Sequence, residues 1–154
     1  MAEKWVIIDG YNLAFHRKMK KAAKGDLESI RSNCVRKAEA FLTRAARITL
    51  VFDGRMAMKD NPAFLNPVIE VEFAQENQTA DEHIIALVHA AKKISAAEIL
   101  VFSDDRIVRH NAEAAGADTQ SILNFLEECA LLEARAARTA SLPSSASFGT
   151  RLEL

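Results

Sequence analysis

The sequence lacks any apolar run long enough to span a membrane, and it has few cysteines. No stretch approaches the roughly 20 apolar residues that a transmembrane helix needs. Only four apolar residues lie between Lys4 and Asp9, so we expect neither a signal peptide nor an association with membranes. Cys34 and Cys129 lie far apart, with no CxxC pair and no histidine at metal-binding spacing. We therefore expect reduced thiols and a cytoplasmic protein.

The sequence also has almost no net charge and no internal repeat. Twenty Lys and Arg residues stand against 21 Asp and Glu residues, so any anionic partner must meet a local basic patch. A chain of 154 residues suits one domain that buries about 70% of the surface its unfolded form exposes. We place that domain at residues 1–138. Residues 139–154, which contain several serines and Pro143, are expected to form a tail of low intrinsic order.

The first informative stretch is a short apolar run that ends at an acid. Val6, Ile7 and Ile8 are typical of a buried strand, and Asp9 follows them directly. Gly10 and the nearby asparagine tolerate the positive φ angles of a tight turn, so we expect the chain to turn there. The stretch is either a plain strand and turn or a strand that delivers Asp9 to a site at its carboxyl end.

The rest of the chain alternates predicted strands and helices. A basic helix or loop at 16–25 is followed by a helix at 26–47, a strand at 48–52, a loop at 55–67 and a strand at 68–73. Next come a helix from Thr79, a strand at 98–102, a helix capped by Ser103, a short strand at 117–120 and a last helix from Ser121. Glu70 and Glu72 alternate with apolar residues, which indicates an edge strand. The alternation favours an α/β, three-layer, Rossmann-like domain with a mainly parallel sheet flanked by helices.

Aspartates follow three of the predicted strands, and a fourth opens a helix. Asp9, Asp53 and Asp104 each follow an apolar strand, and Asp81 lies in a first helical turn. Because the carboxyl ends of parallel strands share one edge, these acids are expected to face one crevice. Like charges held close together raise each other's pKa or need a cation, and without compensating arginines they imply a bound metal. A purely oxygen ligand set favours Mg²⁺ or Mn²⁺. Such an ion supports the hydrolysis of phosphodiester bonds.

Several of these acids also have a purely structural interpretation. Acids in a first helical turn are favoured by the helix dipole, and an Asp-Gly pair is common in plain turns. The acids open to this alternative are Asp53, Asp81, Glu82, Asp104 and Asp105. Glu82 also completes a capping box with Thr79. The joint occurrence at three strand ends favours the metal site.

Five motifs occur in a fixed order along nearly all of residues 4–130. They are Ile8-Asp9-Gly10-Tyr11-Asn12, Val51-Phe52-Asp53-Gly54, Thr79-Ala80-Asp81-Glu82, Val101-Phe102-Ser103-Asp104-Asp105-Arg106 and Gly116-Ala117. With these motifs the chain resembles the YacP-like branch of NYN-domain proteins, which belong to the PIN-like metal-dependent ribonucleases. The resemblance implies a PIN-like fold, a bound Mg²⁺ or Mn²⁺ ion and endonucleolytic cleavage of RNA.

The resemblance also implies roles for individual residues. Asp9, Asp81 and Asp104 would bind the metal ion, and Asn12 would orient a ligand or a water molecule. Kinship further implies that the RNA is mRNA and that the ribosome is a partner. The resemblance thus assigns catalysis to Asp9, Asn12, Asp81 and Asp104.

The chain departs from the family pattern at one position. Many relatives carry a second aspartate where this chain has Glu82, which either ligates the ion or serves only the capping box. Asp53 and Asp105 are further candidate ligands. We weight Asp104 above Asp105, because Asp104 lies closer to the end of its strand.

Basic residues near the motifs are candidate RNA contacts. The candidates are Arg17, Lys18, Lys20, Lys21, Lys24, Arg106 and Arg109. Each phosphate contact would add a salt-dependent increment to affinity, whereas the alternative is a solvated basic face. Trp5 and Tyr11 are interpreted as packing residues and not as base-stacking platforms.

Three functional hypotheses follow. The leading one is a metal-dependent endoribonuclease. The second is a non-catalytic RNA- or ribosome-binding module, which would bind RNA in EDTA without forming products. The third, a phosphorylation-controlled receiver domain, lacks the expected acid pair after the first strand and the lysine after the last strand.

Overall fold

The computed structural model describes residues 4–20, 26–54, 67–75, 78–94 and 98–141. The strands in this part of the chain are β1 (Lys4–Asp9), β2 (Arg47–Phe52), β3 (Ile69–Phe73), β4 (Glu98–Phe102) and β5 (Asp118–Gln120). The helices are α1 (Gly10–Ala14), α2 (Arg17–Lys20), α3 (Leu27–Glu39), α4 (Ala80–Ile94), α5 (Arg106–Ala114) and α6 (Ile122–Ser141). The predicted α/β fold is confirmed.

The sheet has the strand order β3-β2-β1-β4-β5, and all of its pairings are parallel. The chain runs outward from β1 through β2 to β3, and then crosses to β4 and β5 on the other side. Val6 pairs with Ile48 on one side and Leu100 on the other. The point where the strand order reverses therefore lies between β1 and β4, and in open α/β sheets ligands bind outside the carboxyl ends of such strands.

Helices cover both faces of the sheet, as the side chains of β1 show. Val6 and Ile8 belong to a core formed with α1, α3 and α6. Trp5 and Ile7 point to the opposite face and belong to a second core formed with α4 and α5. A strand buried on both faces has no polar side, which explains why β1 is apolar up to Asp9. The three-layer prediction is confirmed.

An aromatic cluster positions the end of β4. Phe102, the last residue of β4, packs against Phe41 and Phe125, with ring centroids 5.7 and 5.0 Å away. Phe102 and Phe125 are fully buried, and burial of such a side chain contributes about 1.5–3 kcal/mol. The cluster ties α6 to β4 one residue before the polar segment that follows the strand.

β3 is an edge strand, as the alternation of its residues predicts. Glu70 lies on its polar face and accepts hydrogen bonds from Arg47 at 2.6 Å and from Thr49 at 3.2 Å. Glu72 lies within 2.7 Å of His83 Nε2 on α4. These contacts provide polar partners for the glutamates on the polar face of the edge strand.

Two predicted helix boundaries are wrong. The helix predicted to reach residue 47 ends at Glu39, because the backbone hydrogen bonds tighten there to partners three residues back, as in Phe41 N–H to the Ala38 carbonyl. The helix after β4 is capped by Asp105 and not by Ser103. Gly116, with φ of 104°, ends that helix as predicted.

Parts of the predicted segments lie outside the described residues. These parts are residues 21–25 of the basic segment, residues 55–66 of the predicted loop and the tail from 142 onward. Helix α6 extends to Ser141, so residues 139–141 are helical. No helix in the described ranges combines the length and the apolar character that a membrane crossing requires.

Gly10 does not occupy a turn with positive φ, contrary to the prediction. The chain passes directly from β1 into α1, and Gly10 is the first residue of that helix. A Cβ atom at this position would lie 2.5 Å from Phe52 Cδ1 and 2.8 Å from the Val51 carbonyl oxygen. Glycine is therefore required here by the close approach of α1 to the end of β2.

We predict that Gly10→Ala lowers the free energy of unfolding by about 1–3 kcal/mol, because the added methyl group overpacks the core. Urea denaturation measures the loss. Gly54→Ala is the matched control and should cost less, since its added Cβ atom would lie 3.2 Å from the Ala74 carbonyl oxygen. Equal losses in the two variants would contradict this explanation of Gly10.

Candidate active site

A cavity of about 860 Å³ opens at the carboxyl ends of the central strands. Four carboxylates line it: Asp9 from the end of β1, Asp53 after β2, Asp81 in the first turn of α4 and Asp105 after β4. None of the described residues that line the cavity is basic. The structure thus brings acids from separate segments to one rim, without a cationic side chain among that described lining.

Asp9 is held rigidly at the base of this cavity. Its side chain is only 2% exposed, and it caps the N-terminus of α1. The backbone N–H of Asn12 donates to Oδ1 at 3.3 Å, and the hydroxyl of Ser103 lies 3.0 Å from Oδ2. Since each carboxylate oxygen has its own partner, the orientation of the group is fixed from both sides.

Asn12 connects α1 to the segment that follows β4. Its Oδ1 accepts a hydrogen bond from the Asp104 N–H at 2.8 Å and lies 3.1 Å from the Ser103 hydroxyl. The side-chain oxygen of Asn12 therefore holds the neighbouring turn in place. This position suits the orienting role that the sequence predicts for Asn12, with protein groups as its partners.

Ser103 is the site residue that the sequence interpretation missed. It is fully buried, and its oxygen accepts a hydrogen bond from the Asp105 N–H at 3.1 Å. Its single hydroxyl proton is shared between Asp9 and Asn12. The sequence shows only a small polar residue directly after a buried strand, and the pairing of β4 with β1 is what places it against Asp9.

The structure places Asp105 in the cavity, whereas closeness to the strand end favours Asp104. Asp104 lies in a neighbouring hollow, and its Oδ1 accepts a hydrogen bond from the Ile122 N–H at 3.0 Å, so it caps α6. Asp105 lines the cavity with Asp9, while its Oδ1 caps α5 by accepting from two backbone N–H groups. The turn after β4 therefore directs the two side chains differently.

Glu82 forms the predicted capping box. Its Oε1 accepts from the Thr79 N–H at 2.9 Å, and the Thr79 hydroxyl accepts from the Glu82 N–H at 3.1 Å. Glu82 lines a groove between α4 and α5, next to the cavity. The geometry favours the helix-capping alternative for this residue over a role as ligand.

Burial and like charges disfavour ionisation in the cavity. The pKa of Asp9 is raised from its usual value of 3.8 to about 6. Burial is the largest cause, and the charges of Asp81 and Asp105 add to it, whereas hydrogen bonds from Asn12 and Ser103 lower the pKa. Burial also raises the pKa of Asp81, with the charges of Asp105 and Glu82 adding to the effect. A cation in this cavity would relieve both carboxylates.

The donor atoms fit a hydrated hard cation better than a closed metal cage. In the described ranges, no three Asp, Glu, His or Cys side chains are arranged to ligate one ion together. Mg²⁺ keeps several water molecules and is commonly bound through one or two carboxylates. The carboxylates of the cavity fit that coordination, because they offer only oxygen.

The predicted RNA contacts are distributed unevenly around the cavity. Arg17 lines the neighbouring hollow, of about 380 Å³, and Lys18 is exposed one residue further along. Arg106 is exposed at the start of α5, whereas the Arg109 side chain donates to Thr119 on β5 at 3.4 Å. The side chain of Lys20, together with Lys21 and Lys24, lies outside the described part of the structure. Among the predicted RNA contacts in the described part of the chain, Arg17 is the one that lines the hollow beside the acids.

We predict that Asp9→Asn stabilises the metal-free protein increasingly as the pH rises. The folded state binds the Asp9 proton more tightly than the unfolded state does, so the wild type loses stability between pH 4 and 6. The variant lacks this titration, and its advantage should grow by up to about 3 kcal/mol across that window. Urea denaturation in EDTA at several pH values tests this, and an advantage that does not change with pH would contradict it.

Comparison with known proteins gives consistent matches. The model of the YacP-like NYN domain family matches residues 6–149. The YacP protein of Bacillus subtilis strain 168, whose name describes it as uncharacterized, is 28% identical over 135 residues, which cover 86% of this chain and 79% of that protein.

Solved structures agree with the sequence matches. The crystal structure of Rae1 (YacP) from Bacillus subtilis superposes with a TM-score of 0.77 at 27% identity, covering 92% of this chain and 82% of that one. A variant of it with a tryptophan replaced by leucine gives a TM-score of 0.73 at 27% identity, over 94% and 89% of the two chains. The chain therefore belongs to the YacP-like NYN domain family, which indicates a nuclease or another RNA-related function.

Proposed function

We propose that this protein is a metal-dependent endoribonuclease that hydrolyses phosphodiester bonds of RNA. The observation that carries the proposal is the buried, doubly hydrogen-bonded Asp9 in a cavity that it shares with Asp81 and Asp105. Its pKa of about 6 shows an ionised state destabilised by burial and by these neighbours. Membership of the NYN domain family supports an RNA substrate.

Asp9 and Asp105 would hold a Mg²⁺ or Mn²⁺ ion, and Asp81 would add negative charge in the same cavity. When bound, such an ion polarises a phosphoryl oxygen and lowers the pKa of a water molecule. Asn12 and Ser103 keep Asp9 in one orientation, so little conformational freedom is lost on binding. In this proposal Asp104 accepts the first N–H of α6 and does not bind the metal ion.

The acidic cavity also sets how RNA would approach. Phosphates are repelled by the carboxylates, so a phosphodiester would enter the cavity only once a cation is present. Arg17 and Lys18 offer positive charge beside the cavity, and flanking phosphates would contact them. Because cations compete with protons for Asp9, metal affinity should fall below about pH 6.

We extend the proposal to mRNA bound at the ribosome, which the family resemblance implies. Co-sedimentation of the protein with ribosomes tests this extension separately from the chemistry. Failure to co-sediment would remove the ribosome as a partner and leave the hydrolysis of RNA intact.

A second candidate function is a non-catalytic RNA-binding module. The observation that favours it is the lack of a three-ligand cluster among the described Asp, Glu, His and Cys side chains. It differs in a measurable way, because RNA would be bound equally well in EDTA and no products would form with Mg²⁺ or Mn²⁺.

We predict that Asp105→Asn lowers kcat/KM for RNA cleavage by about 100-fold or more, because loss of a ligand should cost at least as much as loss of an outer contact. Asp104→Asn is the matched control and should retain most of the activity. In both variants the asparagine keeps an Oδ1 atom that can accept the same backbone N–H groups. A larger loss in Asp104→Asn would restore the ligand assignment that the sequence favoured.

Metal binding can be measured without any substrate. Saturating Mn²⁺ should stabilise the wild type by about 2.7 kcal/mol when its concentration is 100 times the Kd. Asp9→Asn combined with Asp81→Asn should abolish both this stabilisation and the cleavage of RNA. Undiminished cleavage by the double variant, or cleavage that persists in EDTA, would overturn the proposed function.

A further inference from the structure

Two exposed aromatic rings lie beside the candidate active site. Tyr11 and Phe15 are 45% and 37% exposed, and their ring centroids are 4.8 Å apart. Tyr11 lines both the acidic cavity and the neighbouring hollow, where Phe15, His16 and Arg17 join it. Tyr11 therefore packs against Phe15, as the sequence interpretation predicts, but its ring is also exposed beside the site.

Packing alone explains the contact between these rings but not their exposure. An aromatic pair four residues apart stabilises a helix by about 0.2–0.5 kcal/mol. The helix is already anchored by Leu13, which is fully buried, and by Ala14. Burial of a phenylalanine would contribute about 1.5–3 kcal/mol more, and the fully buried Phe52, Phe102 and Phe125 do have that benefit. The two exposed rings therefore lack the stabilisation that burial would give, and they lie at the edge of the site.

We propose that Tyr11 and Phe15 form a stacking platform for an unpaired base of single-stranded RNA. This inference rests on the proposed function for the identity of the polymer. Aromatic faces bind bases of single strands with little regard to sequence, whereas bases inside a duplex are already stacked and inaccessible. The platform would hold the nucleotide next to the phosphodiester that enters the acidic cavity.

The charges around the platform match a polynucleotide backbone. Arg17 lines the same hollow as the rings and would contact a phosphate of the stacked nucleotide. The acid in that hollow is Asp104, and its Oδ1 already accepts the Ile122 N–H. The two rings and Arg17 therefore line one hollow, and Tyr11 also lines the acidic cavity beside it.

The single tyrosine of the chain makes the test direct. With ¹³C-labelled tyrosine, every ring signal in the NMR spectrum belongs to Tyr11. The probe is a hexamer of adenylate RNA, added with Mg²⁺ at low temperature and recovered afterwards to check that it is intact. We expect an upfield shift of the Tyr11 ring, caused by the stacked base. A hexamer with the same backbone but no bases should bind more weakly and produce no such shift.

Variants separate stacking from charge. Tyr11→Ala should weaken RNA binding about tenfold without changing its salt dependence, and Tyr11→Phe should keep the affinity. Arg17→Ala should reduce the slope of log affinity against log salt by about one. Leu131→Ala, at a 59% exposed position on α6, is the control and should bind as the wild type does.

Each outcome decides the inference. An upfield shift in a protein that cleaves no RNA would support the platform and overturn the proposed hydrolysis. RNA cleavage with an unshifted Tyr11 ring, or with unchanged binding by Tyr11→Ala, would overturn the platform and leave the proposed hydrolysis standing. Wild-type protein that binds no hexamer, or that binds the baseless hexamer equally well, would also overturn the platform.

Discussion

The site depends on one buried hydroxyl group, that of Ser103. Its oxygen lies 3.0 Å from Asp9 Oδ2 and 3.1 Å from Asn12 Oδ1, and it accepts a hydrogen bond from the Asp105 N–H. These contacts join the end of β1 to the end of β4, which are the two strands that flank the reversal of strand order. The hydroxyl is fully buried, where loss of a partner costs about 1–3 kcal/mol. It therefore couples the position of Asp9 to the direction of the turn that carries Asp105.

The same arrangement explains why the site is held together although its charges repel. Burial of Asp9 raises its pKa to about 6, which marks an unfavourable ionised state. Two apolar cores and the Phe102 cluster keep the strand ends in place against that repulsion. Stability is sacrificed locally at the point where the proposed chemistry requires concentrated negative charge.

Much of the fold could be predicted from local sequence patterns. β1, with its uninterrupted apolar residues, and α4, with its capping box at Thr79 and Glu82, both follow from short-range rules. The meeting of Asp9, Asp53 and Asp81 at one rim follows from the parallel arrangement, since parallel strands share an edge.

The finer features depend on contacts between distant residues, which local patterns do not encode. Gly10 has the sequence context of a turn, but glycine is required there because Phe52 approaches the backbone too closely for a Cβ atom. Ser103 resembles a helix cap, and only the pairing of β4 with β1 places it against Asp9. Asp104 and Asp105 likewise line different hollows because of a turn whose backbone is held by Asn12.

The most direct test of this account is a crystal structure of the protein soaked with Mn²⁺, with the ion located by its anomalous scattering. The account predicts one peak in the acidic cavity, bound to Asp9 and to one further carboxylate of that cavity, with water completing the coordination. A peak bound by Asp104, or a cavity without any peak at saturating Mn²⁺, would contradict it.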